Sequence, residues 1–223
     1  RQHLQRSISG FAALAMYFYT ITALPLATAV TLNYTSSVFI ALFSTVMSRR
    51  QPAWQLIFAV MLGFAGVVAL LNPTFHSDQL GQGLVGLASG VLAAVAMINV
   101  RSLGRLGEPE WRVVFYFSLV STVAAGGWML LHHFSPLRWE SVLLMLAMGT
   151  AATLAQLALT RAYGQGRTLV VASLAYSTVA FASLAGVVLW GDWLSPLSWL
   201  GIVAIVLSGV ISTQSQSLAA SRA

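Results

Sequence analysis

Leu32–Phe43 reads LNYTSSVFIALF, an apolar run that carries an amide, a phenol and three hydroxyls in consecutive positions. A second passage, Leu174–Leu184, reads LAYSTVAFASL, and one constant offset lays Leu32, Tyr34, Phe39 and Leu42 on Leu174, Tyr176, Phe181 and Leu184. Polar groups inside an apolar helix are costly unless they are satisfied or face an interior cavity. A cluster that occurs twice therefore asks for an architectural explanation.

The surrounding chain sets the solvent. Its 223 residues are 58% hydrophobic and 7% charged, without cysteine, whereas a soluble domain is about 45–50% apolar and about 25% charged. Eleven arginines and five carboxylates cannot clothe a soluble domain of this size, so most of the surface must face lipid or other helices. The expected partners are accordingly the lipid bilayer and a small-molecule substrate. The absence of cysteine removes disulfide frameworks and thiol-held metals, and His3, His76, His132 and His133 show no ligand spacing with carboxylates. No cofactor or metal is expected, and His132 and His133 are expected at an interface or in a loop.

Stretches of about 20 apolar residues, the length that crosses a bilayer as helix, occur eight times: Ser7–Leu24, Leu26–Met47, Trp54–Leu71, Gly83–Leu103, Arg112–Leu131, Trp139–Ala162, Thr168–Trp190 and Leu194–Ser212. They lack the ten-residue alternation of barrel strands, so the fold class is an all-α polytopic membrane bundle. Short connections carry the breakers Pro25, Pro52, Asn72-Pro73, Gly107-Glu108-Pro109, Ser135-Pro136, Gly164 to Gly166 and Ser195-Pro196, which favours antiparallel neighbours in one bundle.

Cytoplasmic loops are enriched in Lys and Arg. With a cytoplasmic N-terminus, Arg1, Arg6, Arg49, Arg50, Arg101, Arg105, Arg112, Arg161, Arg167 and Arg222 fall inside and only Arg138 outside. The net charge of +6 is thus a topology signal. A nucleic-acid partner would require these charges gathered on one soluble face, and none is available. Small residues four apart, Ala59 and Gly63, Gly86 and Gly90, Ala182 and Gly186, point to close helix packing in lipid.

The echo of LNYTSSVFIALF extends into the next helix, where Ala65-Gly66-Val67 falls near Ser208-Gly209-Val210 with one residue gained, after Trp-containing starts at Trp54 and Trp199. The two copies are an odd number of spans apart, so the second is inverted relative to the first. Inverted repeats are a recurring architecture of secondary transporters, with a substrate site near the midplane. The expected division is residues 1–72 as the last three helices of a first repeat, 83–214 as a second five-helix repeat and 215–223 as a cytoplasmic tail. On that division eight transmembrane helices of an expected ten are visible, and two more are expected ahead of Arg1.

Arg6-Ser7 before Gly10, ALPLATAV, LNYTSSVFIALF, TRAYGQGRTLVVASLAYS and LWGDWLSPLSWLGIVAIVLSGV together resemble the EamA-type transporters of the drug/metabolite transporter superfamily, over essentially the whole chain. The resemblance implies ten helices in two inverted five-helix repeats, moving small metabolites across a bacterial inner membrane by alternating access. Many members close their fourth and ninth helices with Gly-Glu. Here Gly191-Asp192 stands at the second place and Ser48-Arg49-Arg50 at the first.

Intramembrane polar groups select the candidate site: Asn33, Tyr34, Asn99, Gln156, Tyr176 and Ser177, with Thr35, Ser36 and Thr178 beside them and Tyr17, Tyr19 and Trp128 as aromatic walls. Ser and Thr can instead bond back to a carbonyl one turn earlier, whereas Asn and Gln carry two donors and an acceptor to satisfy. No carboxylate lies mid-span and the chain has no lysine, so either coupling resides in further helices or transport is facilitative or exchange. Arg101 and Arg161 are expected to snorkel to the cytoplasmic interface. The rival class, an integral-membrane enzyme acting on a lipid-linked or amphipathic substrate, would need converging acid-base groups. Asp78, His76, Glu108, Glu110, His132, His133, Glu140 and Asp192 are scattered over loops on both sides. Oligomeric state is not readable from these residues.

The topology has a direct check, since the chain lacks cysteine. Gly107→Cys is expected to resist a membrane-impermeant maleimide in intact cells and to react after permeabilisation. Ser195→Cys is expected to react in intact cells.

Overall fold

The computed structural model describes residues 1–47, 53–74, 79–131 and 139–220. The elements are α1 (Gln2–Ala23), α2 (Leu26–Met47), α3 (Trp54–Leu71), α4 (Leu80–Arg105), α5 (Glu110–Leu131), α6 (Trp139–Gln165), α7 (Thr168–Ala175), α8 (Ser177–Trp190) and α9 (Pro196–Ala220). The described residues are all-helical apart from short connections. Among the described residues seven spans are long and apolar enough to cross a bilayer, α7 and α8 together forming one of them. α1 has the length but a more polar start, QHLQR. The chain is a polytopic membrane helical bundle. Ser48-Arg49-Arg50, Pro52, His76, Asp78, His132, His133, Ser135-Pro136, Arg138 and Arg222 lie outside the described residues.

Breakers fix the helix ends. Asn72 caps α3 in the left-handed region (φ 43°), its N–H bonding to the Val68 carbonyl at 2.9 Å, and Pro73 follows, which cannot continue a helix. Gly191 ends α8 at φ 71°. Its N–H bonds to the Val187 carbonyl at 3.1 Å and that of Asp192 to the Gly186 carbonyl at 3.4 Å, a Schellman-type close that glycine makes without a Cβ penalty.

One expected span is divided. Thr168–Trp190 reads as continuous in sequence, yet the chain leaves regular α geometry at Tyr176, where the Val179 N–H bonds to the Tyr176 carbonyl at 3.0 Å. This three-residue spacing tightens the backbone locally while Tyr176 keeps right-handed dihedrals (φ −63°, ψ −24°).

The chain forms two compact units, one of residues 1–11 with 95–166, the other of 12–94 with 167–223. In the first, α4 and α6 meet backbone to backbone: a Cβ on Gly104 would stand 2.7 Å from the Gly164 carbonyl oxygen. α5 and α6 otherwise present exposed apolar side chains, such as Leu130, Leu144 and Met148, as a lipid-facing surface does.

The second unit is organised on α3 and α9. Ser208 Oγ donates to the Ala59 carbonyl at 2.6 Å and Ser198 Oγ to the Leu70 carbonyl at 3.1 Å. Residue numbers rise along one helix as they fall along the other, so the pair is antiparallel. Between these bonds Gly66 and Gly201 face each other, and a Cβ on Gly201 would lie 2.6 Å from the Gly66 oxygen and 2.7 Å from the Leu70 nitrogen. α4 packs similarly on α2, since a Cβ on Gly86 would lie 2.8 Å from Leu32 Cδ1 and one on Gly90 2.9 Å from the Leu32 oxygen.

In lipid, where van der Waals packing replaces the hydrophobic drive between helices, such contacts are the source of cohesion. Gly201→Ala forces α3 and α9 apart against backbone atoms, and overpacking of this kind costs about 1–3 kcal/mol. The expected result is a lower midpoint of thermal unfolding in detergent and reduced membrane abundance. Gly149→Ala, whose Cβ would meet nothing within 4 Å, is expected to leave both unchanged.

Candidate functional site

The two hydroxyl-rich passages meet in the second unit. Tyr34 of α2 and Tyr176 lie with ring centroids 6.0 Å apart, and Phe64 of α3 is 6.5 Å from Tyr176 on another side. The Tyr34 hydroxyl lies beside the Thr178 side chain. Ser37 Oγ donates to the Ala172 carbonyl at 3.0 Å, fastening α2 to α7 below the ring pair. Tyr176 is 0% exposed, and its ring occupies the notch left by Gly63, where a Cβ would collide with it and stand 2.7 Å from Ser208 Oγ. A small residue on α3 thus positions an aromatic wall, and the tightened backbone at Tyr176 directs it there.

The other candidates divide by what satisfies them. Asn33 Nδ2 donates to Ser89 Oγ of α4 at 3.4 Å, and that hydroxyl, itself 0% exposed, donates onward to the Gly86 carbonyl at 2.6 Å. The amide of Asn33 is therefore spent at least partly between helices. Thr35 Oγ1 bonds back to the Leu32 carbonyl at 2.5 Å and Ser177 Oγ to the Leu174 carbonyl at 2.6 Å, each within its own stretch of chain. Ser177 also borders a cavity of about 350 Å³ lined by Ser173, Leu174, Phe181, Leu184, Ile202, Ile205 and neighbouring apolar residues of α8 and α9. Ser36 and Tyr17 are half-buried, whereas Tyr19 is 51% and Trp128 66% exposed.

Asn99 and Gln156 belong to the first unit. Asn99, on α4, is half-buried, and no side chain among the described residues hydrogen-bonds its amide. Gln156, on α6, accepts a hydrogen bond through Oε1 from Arg6 Nη2 at 3.3 Å. Arg6 is 2% exposed, with its guanidinium carbon 4.1 Å from the centroid of the Phe117 ring. Sequence reasoning counted Arg6 only as a cytoplasmic charge. The signal available was Gly10, one turn further on, whose missing Cβ leaves the space that Arg6 Nη1 fills.

At the loop end of the same unit, Glu108 contacts Arg112 Nη1 at 3.0 Å and His3 Nε2 at 3.4 Å. Gln165 Nε2 donates to Glu110 Oε1 at 2.8 Å. Glu108 and Glu110 border a cavity of about 240 Å³ with Gly104, Gly107, Thr160 and Gly164. Among the described residues no three His, Asp or Glu side chains gather as metal ligands.

The chain is similar to carriers of small molecules. It is 32% identical over 209 residues to the pseudopaline exporter of Pseudomonas aeruginosa (strain UCBPP-PA14), a match covering 92% of this chain and 72% of the exporter. It is 20% identical over 223 residues to the S-adenosylmethionine uptake transporter of Rickettsia felis, covering 99% and 74%. It is 24% identical over 218 residues to the riboflavin transporter of Vibrio cholerae serotype O1, covering 95% and 71%. One solved crystal structure shares the fold, with a TM-score of 0.83 at 20% identity over 95% of this chain and 75% of that one. No protein-family profile matches. The helical bundle, its length and the exporter match agree: the chain belongs to the drug/metabolite transporters, multi-pass bacterial membrane proteins that carry small metabolites as secondary transporters.

Proposed function

We propose that this transporter, of the EamA type, works by alternating access through a central cavity and carries a small polar or amphipathic metabolite, with Tyr34 and Tyr176 of the second unit and Asn99 and Gln156 of the first as its candidate substrate contacts. The observation that carries the reading is the meeting of Tyr34 and Tyr176, the matched members of the two hydroxyl-rich helices, at 6.0 Å. An inverted repeat brings equivalent positions together about a pseudo-two-fold axis in the membrane plane, and the antiparallel pairing of α3 with α9, the helices following the two passages, agrees with that symmetry. The relatives are named for three different solutes, pseudopaline, S-adenosylmethionine and riboflavin. A shared scaffold with a variable lining accounts for that range.

Asn99 fits a pathway residue better than Asn33 does, because its half-buried amide has no protein partner among the described residues while that of Asn33 is bonded to Ser89. No covalent step is proposed. The described carboxylates and His3 serve as ion-pair, hydrogen-bond and loop groups in this reading.

The test is counterflow into proteoliposomes of the full-length protein across a metabolite panel, after ligands are ranked by thermal shift, since a ligand that binds the folded state stabilises it by mass action. Transport of at least one metabolite above empty-liposome background is expected, and none across a broad panel contradicts the proposal. Asn99→Ala is expected to lower transport of that metabolite about tenfold, equivalent to about 1.4 kcal/mol, at unchanged membrane abundance. Asn33→Ala is expected to lower abundance first. Tyr34→Phe, which removes the hydroxyl beside Thr178 and keeps the ring, is expected to weaken transport less than Tyr34→Ala.

A further inference from the structure

Among the described residues, the buried Arg6 of the first unit has no counter-charge. Arg6 is 2% exposed, and the ion pairs among the described residues are His3 with Glu108 and Arg112 with Glu108. A guanidinium presents five N–H donors. That of Arg6 places one on the Gln156 amide oxygen at 3.3 Å and lays its face on Phe117, while Nε finds no acceptor. The next residue, Ser7, is 1% exposed, and its hydroxyl finds no partner either. The first turn of α1 contains no acidic residue, although this end of a helix favours negative charge. One ring face attracts a cation but does not replace the hydration that a buried ion gives up. Stability alone does not account for a cation held this way.

We propose that Arg6, with Ser7 and Gln156, is the recognition site for an oxyanion, a carboxylate or phosphate group, of the transported molecule. This assigns an anionic substrate class and rests on the transporter reading above. The planar fork suits bidentate capture of a carboxylate or phosphate. Phe117 covers one face of the guanidinium and Gln156 takes one N–H of Nη2, so Nε, Nη1 and the second N–H of Nη2, with the Ser7 hydroxyl, are the donors left for the anion. Gly10 makes the arrangement possible, because a Cβ there would collide with Nη1 and come within 3.0 Å of the Phe117 ring. The closed geometry around Arg6 is one state of the cycle, and alternating access opens the same side chain to solute.

The test uses full-length protein reconstituted in phosphatidylcholine vesicles, with and without phosphatidylglycerol, and reads the unfolding midpoint by tryptophan fluorescence. Probes are sodium phenylacetate, its neutral isostere phenylacetamide, and inorganic phosphate. Wild type is expected to gain several degrees with millimolar phenylacetate or phosphate in pure phosphatidylcholine, and none with phenylacetamide. Arg6→Gln is expected to abolish the gain, Arg6→Lys to keep a reduced one, and Gly10→Ala to weaken it at intact Arg6. Should Arg6→Gln fail to fold, Arg6→Lys and Gly10→Ala carry the comparison. Equal response of wild type and the Arg6 and Gly10 variants, or equal response to acid and amide, overturns the proposal. A gain that appears only with phosphatidylglycerol and without added acid also overturns it, assigning the site to a lipid headgroup. Counterflow separates the two readings: a neutral metabolite carried equally by wild type and Arg6→Lys leaves the transporter standing and removes the anion site. Anion-dependent stabilisation without transport of any metabolite does the reverse.

Discussion

The second unit depends on one contact, the direct meeting of the α3 and α9 backbones at Gly66 and Gly201. In lipid two helices gain little by hiding apolar side chains from each other, so approach has to be close enough for dispersion and for hydroxyl-to-carbonyl bonds between helices. The two glycines permit that approach. Ser208 and Ser198 then reach the Ala59 and Leu70 carbonyls, and Gly63, on the same stripe of α3, opens the notch that seats Tyr176. Packing and candidate site are therefore one problem here: the stripe that joins α3 to α9 also fixes the aromatic wall against which Tyr34 rests.

Much of this architecture is legible from local sequence. The bounds of α2 and α3 follow from Pro25 and from Asn72-Pro73, because an apolar run between breakers has one helical length. The start of α1 does not follow, since hydropathy alone begins the span at Ser7 while the helix begins at Gln2. Polar residues form helix as readily as apolar ones, and hydropathy reports the solvent rather than the backbone. The same distinction lets α9 continue to Ala220. The interruption at Tyr176 left no trace because neither glycine nor proline stands there. The ring at that point fills the Gly63 notch, a tertiary contact that local sequence does not report.

The candidate site was legible to a similar depth. Pairing the two passages singled out Tyr34 and Tyr176, and the structure places them together with Thr178. Amide chemistry marked Asn33, Asn99 and Gln156 as groups needing partners but could not supply them. Ser89 for Asn33 and Arg6 for Gln156 come from helices distant in sequence. Arg6 itself was hidden by a sound rule, that arginine beside a span reports topology. Its burial against Phe117 becomes visible only when α1, α5 and α6 are assembled.

In the proposed reading, the chain is a carrier whose polar groups are held by small-residue packing and whose lining changes access rather than chemistry. The most direct measurement of that account is water accessibility at the lining itself. With no cysteine elsewhere in these 223 residues, Asn99→Cys can be probed with a membrane-impermeant thiol reagent in right-side-out and in inside-out vesicles. The account expects reaction from both sides, slowed on both by a transported metabolite. Reaction from neither side, or from one side with no effect of the metabolite, would contradict it.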